Sequence, residues 1–443
     1  MDRRTFGRTT LAAVLAQAVS QTWPDGAALA GQSSPLRVDG DRLNANLQEL
    51  SKYGRNQLGG VSRVAYSEAD RLAREWVLGL MADAGLDARI DAAGNLIGRR
   101  AGLDPSLPPL MTGSHIDTVV EGGNYDGTVG ALGAVEVAHS LEEARIVMRH
   151  PLEVVVFQGE EHGHIGSRAM AGGLAEQELD VAYNADLTRR DGIAFIGGDP
   201  SRIQEVRRTQ GEIAAFVELH VEQGGMLERL GVDIGVVEGI VAVDRWNITV
   251  DGVANHGGAT PMDQRQDAGL AAARFIDAVH RIVTSVPGRQ VATVGQIQAH
   301  PGAFNIIPGR VDLSLEMRDL EEDKLERIFE RISAETRELS RATGTTFSFD
   351  QFYDHEAAPT DERIRAEIAA QTERLGLSAE WMPSAAGHDA QSIHRIAPIG
   401  MIFIPSIGGV SHSPDEYSRP RDITNGANVL LHSLLELDRL DWS

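Results

Sequence analysis

The 443-residue chain contains no cysteine, which excludes disulfide bonds, thiolate nucleophiles, iron–sulfur clusters and cysteine-bound zinc. It also has no apolar run near the ~18–20 residues that a membrane-spanning helix needs. Basic residues are few, 41 against 64 acidic ones, and the formal net charge is −23. Such a charge repels nucleic-acid phosphates and anionic membrane surfaces, so we expect neither as a partner. Any bound metal must be held by imidazole nitrogens and carboxylate oxygens.

The first thirty residues have the features of an export signal rather than of a folded segment. Arg3-Arg4 precedes a weakly hydrophobic stretch at residues 11–20, and Ala28-Leu29-Ala30 follows as a small-residue cleavage pattern. Paired arginines before such a stretch resemble a twin-arginine signal, which exports folded proteins. We therefore predict a signal at residues 1–30 and a periplasmic protein. The alternative is a disordered leader on a cytoplasmic protein, with a chance arginine pair.

Strand and helix patterns alternate after residue 35 and predict an α/β fold. Short apolar runs such as Leu152–Phe157 are typical of buried strands in a mixed or parallel sheet. Residues 241–355 instead show the order strand–helix–strand–strand–helix–strand, which describes a small α+β, ferredoxin-like sandwich. We predict one mixed-sheet domain made of residues 35–240 and 356–443, interrupted by this inserted domain.

Histidines and carboxylates concentrate at the ends of predicted strands, where α/β folds usually build their sites. The segments are Gly113–Asp117, Gly122–Gly127, Gly159–His162, Glu218–Gly224 and Gly409–Ser413. Taken singly, each has an ordinary explanation, because a strand-end histidine is usually a hydrogen-bonded surface or core residue and an acidic pair is usually a solvated turn. The glycines that follow Asp126 do not form a dinucleotide fingerprint, and the sequence has no G-x-S-x-G serine-hydrolase motif.

The residue types in these segments suit a pair of divalent ions. In His115-x-Asp117, the carboxylate can accept the second N–H of a metal-binding imidazole. Asp126 lies in a glycine-flanked loop that can bring a carboxylate close to a cation. Glu160 and Glu161 repel each other unless a cation or proton compensates, and one ligand beside one general base would resolve this conflict. Further nitrogen ligands would come from two more histidines, His220 and His412. Such a set can hold two ions ~3.5–4 Å apart, bridged by a carboxylate.

Together the segments resemble the M20-type dinuclear metallohydrolases, from about residue 40 to the C-terminus. The resemblance is closest to the branch that contains N-carbamoyl-L-amino acid hydrolases, allantoate amidohydrolases, ureidoglycolate amidohydrolases and β-ureidopropionases. It is strongest at residues 113–130, 218–224, 254–262, 305–309 and from 387 to 412. The sequence His-Val-Glu-Gln-Gly at residues 220–224 favours this branch over the M20 peptidases. The tract His162-Gly163-His164 departs from the family, and its histidines could touch the metals, alter the leaving-group pocket, or do neither.

The resemblance implies a role for each candidate residue. Its metal ligands would be His115 and His220 for one ion, Glu161 and His412 for the other, and Asp126 as the bridge. Glu160 would be the general base, and Asp117 would orient His115. Its substrate-binding residues would be Gln223, Asn305, Arg318 and Gly387. Arg318 suits a bidentate clamp on a carboxylate, and a surface ion pair with Glu316 or Asp319 is the alternative. His256 would stabilise the oxyanion across a dimer interface, and the alternative is a turn residue.

The implied reaction is hydrolysis of a linear amide C–N bond in a carboxylate-bearing small molecule. The expected substrate is an N-carbamoyl-L-amino acid or a related ureido acid such as allantoate or ureidoglycolate. The resemblance also implies two divalent ions per subunit, Zn²⁺ or Mn²⁺ or Co²⁺, with Glu160 deprotonating a water between them. The inserted domain would serve as a lid and dimerisation domain of a homodimer. An aminoacylase or peptidase acting on N-acyl amino acids or dipeptides is the first alternative. A non-catalytic periplasmic binding protein is the second, and the presence of every ligand and the base argues against it.

Overall fold

The computed structural model describes residues 36–184 and 187–442, and the signal predicted at residues 1–30 lies outside the described residues. Within the described part, the strands are β1 (Asp87–Ile90), β2 (Leu96–Arg100), β3 (Leu110–His115), β4 (Leu152–Phe157), β5 (Ala215–Val221), β6 (Ile234–Ile240), β7 (Ala242–Asp251), β8 (Asn255–His256), β9 (Val291–Thr293), β10 (Ile297–His300), β11 (Ile306–Ile307), β12 (Arg310–Asp319), β13 (Thr346–His355), β14 (Ala358–Pro359), β15 (Ala379–Ser384) and β16 (Ile399–Ile404).

The described helices are α1 (Gly40–Leu50), α2 (Glu68–Asp83), α3 (Thr128–Glu143), α4 (Ile165–Met170), α5 (Arg189–Phe195), α6 (Met226–Leu230), α7 (Ala268–Thr284), α8 (Glu322–Thr343), α9 (Glu362–Arg374), α10 (Asp389–Ile393) and α11 (Pro420–Leu437). Short 3-10 turns lie at Glu176–Asp180, Pro200–Val206, Met262–Gln264 and Ile407–Gly409. None of the helices in the described ranges combines the length and the apolar character that crossing a bilayer requires.

The larger sheet is mixed, with the strand order β1-β2-β4-β3-β5-β16-β6-β14 and with β15 paired to β6. Its centre is parallel, because β3 runs parallel to both β4 and β5, and β16 runs parallel to β5. All residues of these four strands are buried, which explains why they read as continuous apolar runs rather than as alternating patterns. Four neighbouring parallel strands therefore end at one edge of the sheet.

Helix α3 packs against β3 and β5 closely enough to require glycine. A Cβ atom at Gly130 would lie 2.0 Å from the carbonyl oxygen of Leu219, so no larger residue fits at this crossing. The close approach brings the loop before α3, which carries Asp126, over the ends of β3 and β5.

A separate sheet is formed by strands that all lie between Ala242 and His355, with the order β10-β12-β7-β13 and β9 paired to β12. Its long central strands alternate buried and partly exposed residues, and α7 and α8 cover the buried face around Phe275, Trp246 and Ile328. The predicted fold class, a mixed-sheet α/β protein with an additional α+β sandwich, is confirmed. The exact domain boundaries stay a prediction.

Candidate active site

The predicted ligands meet at the carboxyl edge of the parallel strands. His115 is the last residue of β3, His220 lies near the end of β5, and Glu161 follows the end of β4 by a short turn. His412 comes from the loop that follows β16. Parallel strands deliver their following loops to one edge, and this topology explains why residues almost 300 positions apart in sequence are neighbours.

Asp126 lies at the centre of this group, with its two carboxylate oxygens facing opposite sides. Its Oδ1 is 3.5 Å from Nε2 of His115 and 3.3 Å from Nε2 of His220. Its Oδ2 is 3.4 Å from Nε2 of His412, which is itself 3.5 Å from Oε2 of Glu161. Two groups of candidate ligands therefore share Asp126, as a bridging carboxylate would require. We call the first, with His115 and His220, the inner group and the second, with Glu161 and His412, the outer group.

The inner histidines are oriented so that their Nε2 atoms face the carboxylate of Asp126. Nδ1 of His115 donates to the backbone carbonyl of Asp117 at 3.0 Å, and Nδ1 of His220 donates to that of Val221 at 2.9 Å. Each ring then turns its Nε2 towards Asp126, and Nε2 of His115 is buried without a hydrogen-bond partner. Imidazole nitrogens and carboxylate oxygens that converge in this way fit a cation.

Asp117 differs in detail from the sequence-based expectation. Its carboxylate oxygen is 3.8 Å from Nδ1 of His115, too far for a hydrogen bond, and its backbone carbonyl takes that place. The carboxylate instead accepts the backbone N–H groups of Glu160 and Glu161, each at 3.3 Å. Asp117 thus fixes His115 through its main chain and holds the turn of the two glutamates through its side chain.

The electrostatics of the buried group favour an added positive charge. Burial alone would lower the pKa of His115, but the carboxylates of Glu160, Asp126 and Asp117 outweigh it and raise this pKa well above its usual value. Burial, together with Glu160 and Asp126, raises the pKa of Glu161 to about 8. A cation between these acids would offset the burial and the repulsion that raise the pKa of Glu161.

The two adjacent glutamates occupy different positions. Glu161 belongs to the outer group, whereas Glu160 is in neither of the ligand groups formed by the described residues. Oε2 of Glu160 is 3.7 Å from Nε2 of His115, and its Oε1 is 3.4 Å from Nε2 of His164. Glu160 therefore stands beside the candidate ligands, with its carboxylate between the rings of His115 and His164.

Gln223, a predicted substrate residue, contacts the bridging carboxylate. It has a left-handed backbone conformation, with φ at 58°, and its Nε2 donates to Oδ2 of Asp126 at 2.7 Å. The same oxygen accepts the hydroxyl of Ser411 at 2.9 Å. In this structure Gln223 orients Asp126.

Sequence reasoning missed Glu416, which supports the bridging residue from behind. Its Oε1 accepts the backbone N–H groups of Tyr125 and Asp126 at 2.8 and 3.0 Å, and its Oε2 lies 3.0 Å from the hydroxyl oxygen of Ser411, whose one proton is shared with Oδ2 of Asp126. Burial and the nearby Asp126 raise the pKa of Glu416. The only available signal was its position four residues after His412, in a stretch that otherwise reads as a loop.

A buried layer beneath His220 was also missed. Glu218 accepts the hydroxyl of Ser114 at 2.7 Å and the backbone N–H of Ala390 at 3.1 Å. The ring of His388 lies 4.4 Å from that of His220, and its Nε2 is 2.8 Å from the hydroxyl of Ser384. Glu218, His220 and His388 are close enough to hold an ion. Because Glu218 and His388 are hydrogen-bonded to neighbouring protein groups, we interpret them as support for His220.

Two predicted substrate residues lie near this centre. Arg318, on β12, donates from Nε to Glu316 at 2.8 Å and from its guanidinium to the carbonyl of Ala385. The ion pair with Glu316 matches the alternative expected for Arg318, a surface ion pair. The bond to Ala385 joins Arg318 to the loop that carries Gly387. A Cβ at Gly387 would lie 3.0 Å from the ring of His164. Gly387 thus lies against the ring that faces Glu160, and Arg318 is bonded to the same loop at Ala385.

The other two lie together at the short strand pair: His256 is on β8, and Asn305 directly precedes β11. There the N–H of Gly257 donates to the carbonyl of Asn305 at 2.7 Å. His256 is exposed, and its Nδ1 accepts the N–H groups of Gly258 and Ala259. Among the described residues, no hydrogen bond or ion pair joins His256 or Asn305 to the ligand groups. Their roles stay predictions.

The histidine-rich tract contacts the acids, not the ligand histidines. His164, in a left-handed conformation with φ at 54°, faces Glu160, as described above. The ring of His162 lies 4.9 Å from that of Tyr183, and its Nδ1 is 3.9 Å from the Asp117 carboxylate. The tract therefore shapes the surroundings of the base.

Comparison with known proteins gives consistent matches over most of the chain. The model of the family described as Peptidase family M20/M25/M40 matches residues 111–436. The chain is 37% identical to an N-carbamoyl-L-amino acid amidohydrolase of Geobacillus stearothermophilus, over 90% of this chain and 99% of that protein. It is 36% identical to a ureidoglycolate hydrolase of Oryza sativa subsp. japonica, over 93% and 88%.

An allantoate amidohydrolase of Bacillus subtilis (strain 168) is 35% identical, over 88% of this chain and 96% of that protein. The crystal structure of an amidase of the hydantoinase/carbamoylase family from Burkholderia multivorans superposes with a TM-score of 0.83 at 33% identity, covering 91% of this chain and 98% of that one.

Proposed function

The chain belongs to peptidase family M20/M25/M40, and we propose that it is a metal-dependent amidohydrolase that cleaves the C–N bond of a ureido acid. The observation that carries the proposal is the convergence of three histidines and Glu161 on the two oxygens of Asp126. The names of the relatives support the substrate class, since they act on N-carbamoyl-L-amino acids, ureidoglycolate and allantoate.

We infer that two divalent ions are held per subunit. His115, His220 and Asp126 would hold one, and Asp126, Glu161 and His412 would hold the other. Imidazole and carboxylate donors suit Zn²⁺, Mn²⁺ or Co²⁺ and do not choose among them. Bound at these residues, such ions would lower the pKa of a water and polarise the carbonyl that is attacked.

Glu160 is the residue we assign to proton transfer. Burial alone would raise its pKa, but His115 and His164 outweigh this and hold the pKa below its usual value. The carboxylate is therefore ionised at neutral pH, as a general base must be. It would accept a proton from the attacking water and return one to the departing nitrogen, so that a carbamoyl substrate yields the amine, ammonia and CO₂.

The substrate carboxylate is assigned to Arg318, whose guanidinium already bonds to the loop before Gly387. We further propose that His256 and Asn305 act on the substrate bound in the partner subunit of a homodimer. This is because, among the described residues, neither makes a hydrogen bond or ion pair to the candidate metal ligands of its own chain. Export to the periplasm through residues 1–30 is part of the same proposal, and it rests on the sequence alone.

The test is to compare Glu160→Gln with Glu161→Gln. We expect Glu160→Gln to keep both ions and to lose most of its turnover, about 10²–10⁴-fold, because only proton transfer is removed. Glu161→Gln should instead lose the outer ion, since a ligand is weakened. Metal content and ammonia release from N-carbamoyl-L-amino acids, allantoate and ureidoglycolate would be measured for each. Near-normal kcat in Glu160→Gln would remove Glu160 from the mechanism.

The same assay separates the alternatives. Preferred cleavage of N-acetyl amino acids or dipeptides would make the chain an aminoacylase or peptidase. Binding of ureido acids by the metal-loaded protein without ammonia release would make it a binding protein.

A further inference from the structure

A cavity of about 370 Å³ lies beside the candidate active site, between the end of β13 and helices α4 and α10. Its polar walls are formed by His164, Arg168, Tyr353, His355, Gln391 and Arg395. None of the described residues that line it is acidic, although acidic residues outnumber basic ones in the chain by 64 to 41. The cavity is therefore a positively charged space in a strongly negative protein.

The positive charge is only partly balanced by neighbours. Arg168 pairs closely with Glu178, at 2.7 Å. The nearest carboxylate to Arg395 is Glu356, at 3.8 Å, and Glu356 is 76% exposed, so this pair is weak. Burial lowers the pKa of His355, and the positive charges of His164, Arg395 and Arg168 lower it further, as expected where cationic groups face one space. An anion in the cavity would meet two guanidiniums.

His164 connects the cavity to the candidate active site. One side of its ring lines the cavity, while its Nε2 is 3.4 Å from Oε1 of Glu160. The ring also borders Gly387, whose loop is bonded to Arg318 through Ala385. A substrate with its carboxylate at Arg318 and its reacting bond at Glu160 would lie next to this ring.

From this arrangement we propose that the cavity binds an acidic side chain of the substrate, so that the preferred substrates are ureido acids with a second carboxylate. The inference rests on the proposed function and deepens it. Arg395 is the main recognition residue, because its charge is the least neutralised, and a guanidinium binds a carboxylate through two parallel hydrogen bonds.

The experiment uses substrate pairs that differ in charge but hardly in shape. Values of kcat/KM would be measured for N-carbamoyl-L-glutamate against N-carbamoyl-L-glutamine, and for N-carbamoyl-L-aspartate against N-carbamoyl-L-asparagine. We expect the wild type to prefer the acidic member of at least one pair about tenfold. Arg395→Gln should abolish that preference and leave kcat/KM for the amide member within about twofold.

Arg374→Gln is a matched control, since Arg374 is 63% exposed and pairs with Glu436 at 3.6 Å, much as Arg395 is 55% exposed and pairs at 3.8 Å. It should retain the preference. The inference is overturned if the wild type shows no preference for acidic members, or if Arg395→Gln affects both members of a pair equally.

Equilibrium binding to Glu160→Gln, measured by calorimetry, decides the inference even if no ureido acid is hydrolysed. Tighter binding of the acidic member, lost when Arg395→Gln is added, supports the cavity. Equal binding of both members refutes it. Absence of hydrolysis in the metal-loaded wild type would refute the proposed function instead, so the two failures are distinguishable.

Discussion

Replacing Glu416 with alanine tests whether the bridging carboxylate depends on a second, hidden acid. Glu416 accepts the backbone N–H groups of Tyr125 and Asp126, and it lies beside the hydroxyl of Ser411. Each hydrogen bond to a charged acceptor is worth about 1.5–3 kcal/mol, so the two N–H bonds together are worth about 3–6 kcal/mol. Water entering the space and the relief of repulsion with Asp126 offset much of this. We expect a net loss of about 2–3 kcal/mol in the free energy of unfolding.

The variant should also bind its ions about 10–100-fold more weakly, which is the usual effect of removing a residue that orients a ligand. Glu416→Gln is the matched control, because the amide keeps Oε1 as an acceptor for both N–H groups and can donate to Ser411 from the other side. It should retain most of the metal affinity. Dissociation constants from competition with a chelator and unfolding temperatures from circular dichroism would be compared. If Glu416→Ala binds both ions as tightly as wild type, the supporting role is refuted.

Three further predictions follow from single contacts. Limited treatment with chelator should remove one ion before the other, because His412 of the outer group is 48% exposed, and simultaneous loss of both would contradict this. His164→Asn, which tolerates the left-handed backbone, should lower kcat about 3–10-fold on a neutral ureido acid, with metal content and KM little changed, because Glu160 loses its neighbour. Burial and the cross-strand neighbour Asp354 raise the pKa of Asp244 to about 6. Ionisation of Asp244 therefore costs folding stability as pH rises from about 4 to 6. Asp244→Asn should be more stable than wild type at pH 8, by less than about 1 kcal/mol, and should have no advantage at pH 4, which thermal unfolding at both pH values would show.

The candidate ligand positions could be proposed from the sequence because each one lies in a segment with its own local pattern. His115 and His220 follow apolar runs, and the glycines around Asp126 mark a tight loop. Buried parallel strands bring such ends together, so sequence order and topology suffice. The supporting residues carry no such mark. Glu416 is one acid in a polar loop, and its role depends on how that loop packs against Tyr125.

Asp117 shows where the chemical pattern misleads. An acid two residues from a histidine suggests a carboxylate–imidazole bond, and the spacing alone does not separate a side-chain oxygen from the main-chain oxygen of the same residue. In the folded chain the backbone carbonyl of Asp117 lies nearer to Nδ1 of His115, which frees the carboxylate for the N–H groups of Glu160 and Glu161. The local sequence predicts which residues interact, and the backbone geometry determines through which atoms.

The surroundings of Asp126 also make its two oxygens unequal. Gln223 and Ser411 both donate hydrogen bonds to Oδ2, the oxygen of the outer group, at 2.7 and 2.9 Å. Hydrogen bonds to the charged form of a carboxylate stabilise that charge and lower the basicity of the oxygen that accepts them, which makes this oxygen the weaker electron donor. Oδ1, which faces two buried imidazoles, is the stronger donor. The inner ion should therefore be the more tightly held, and the outer ion, beside the exposed His412, the one that exchanges.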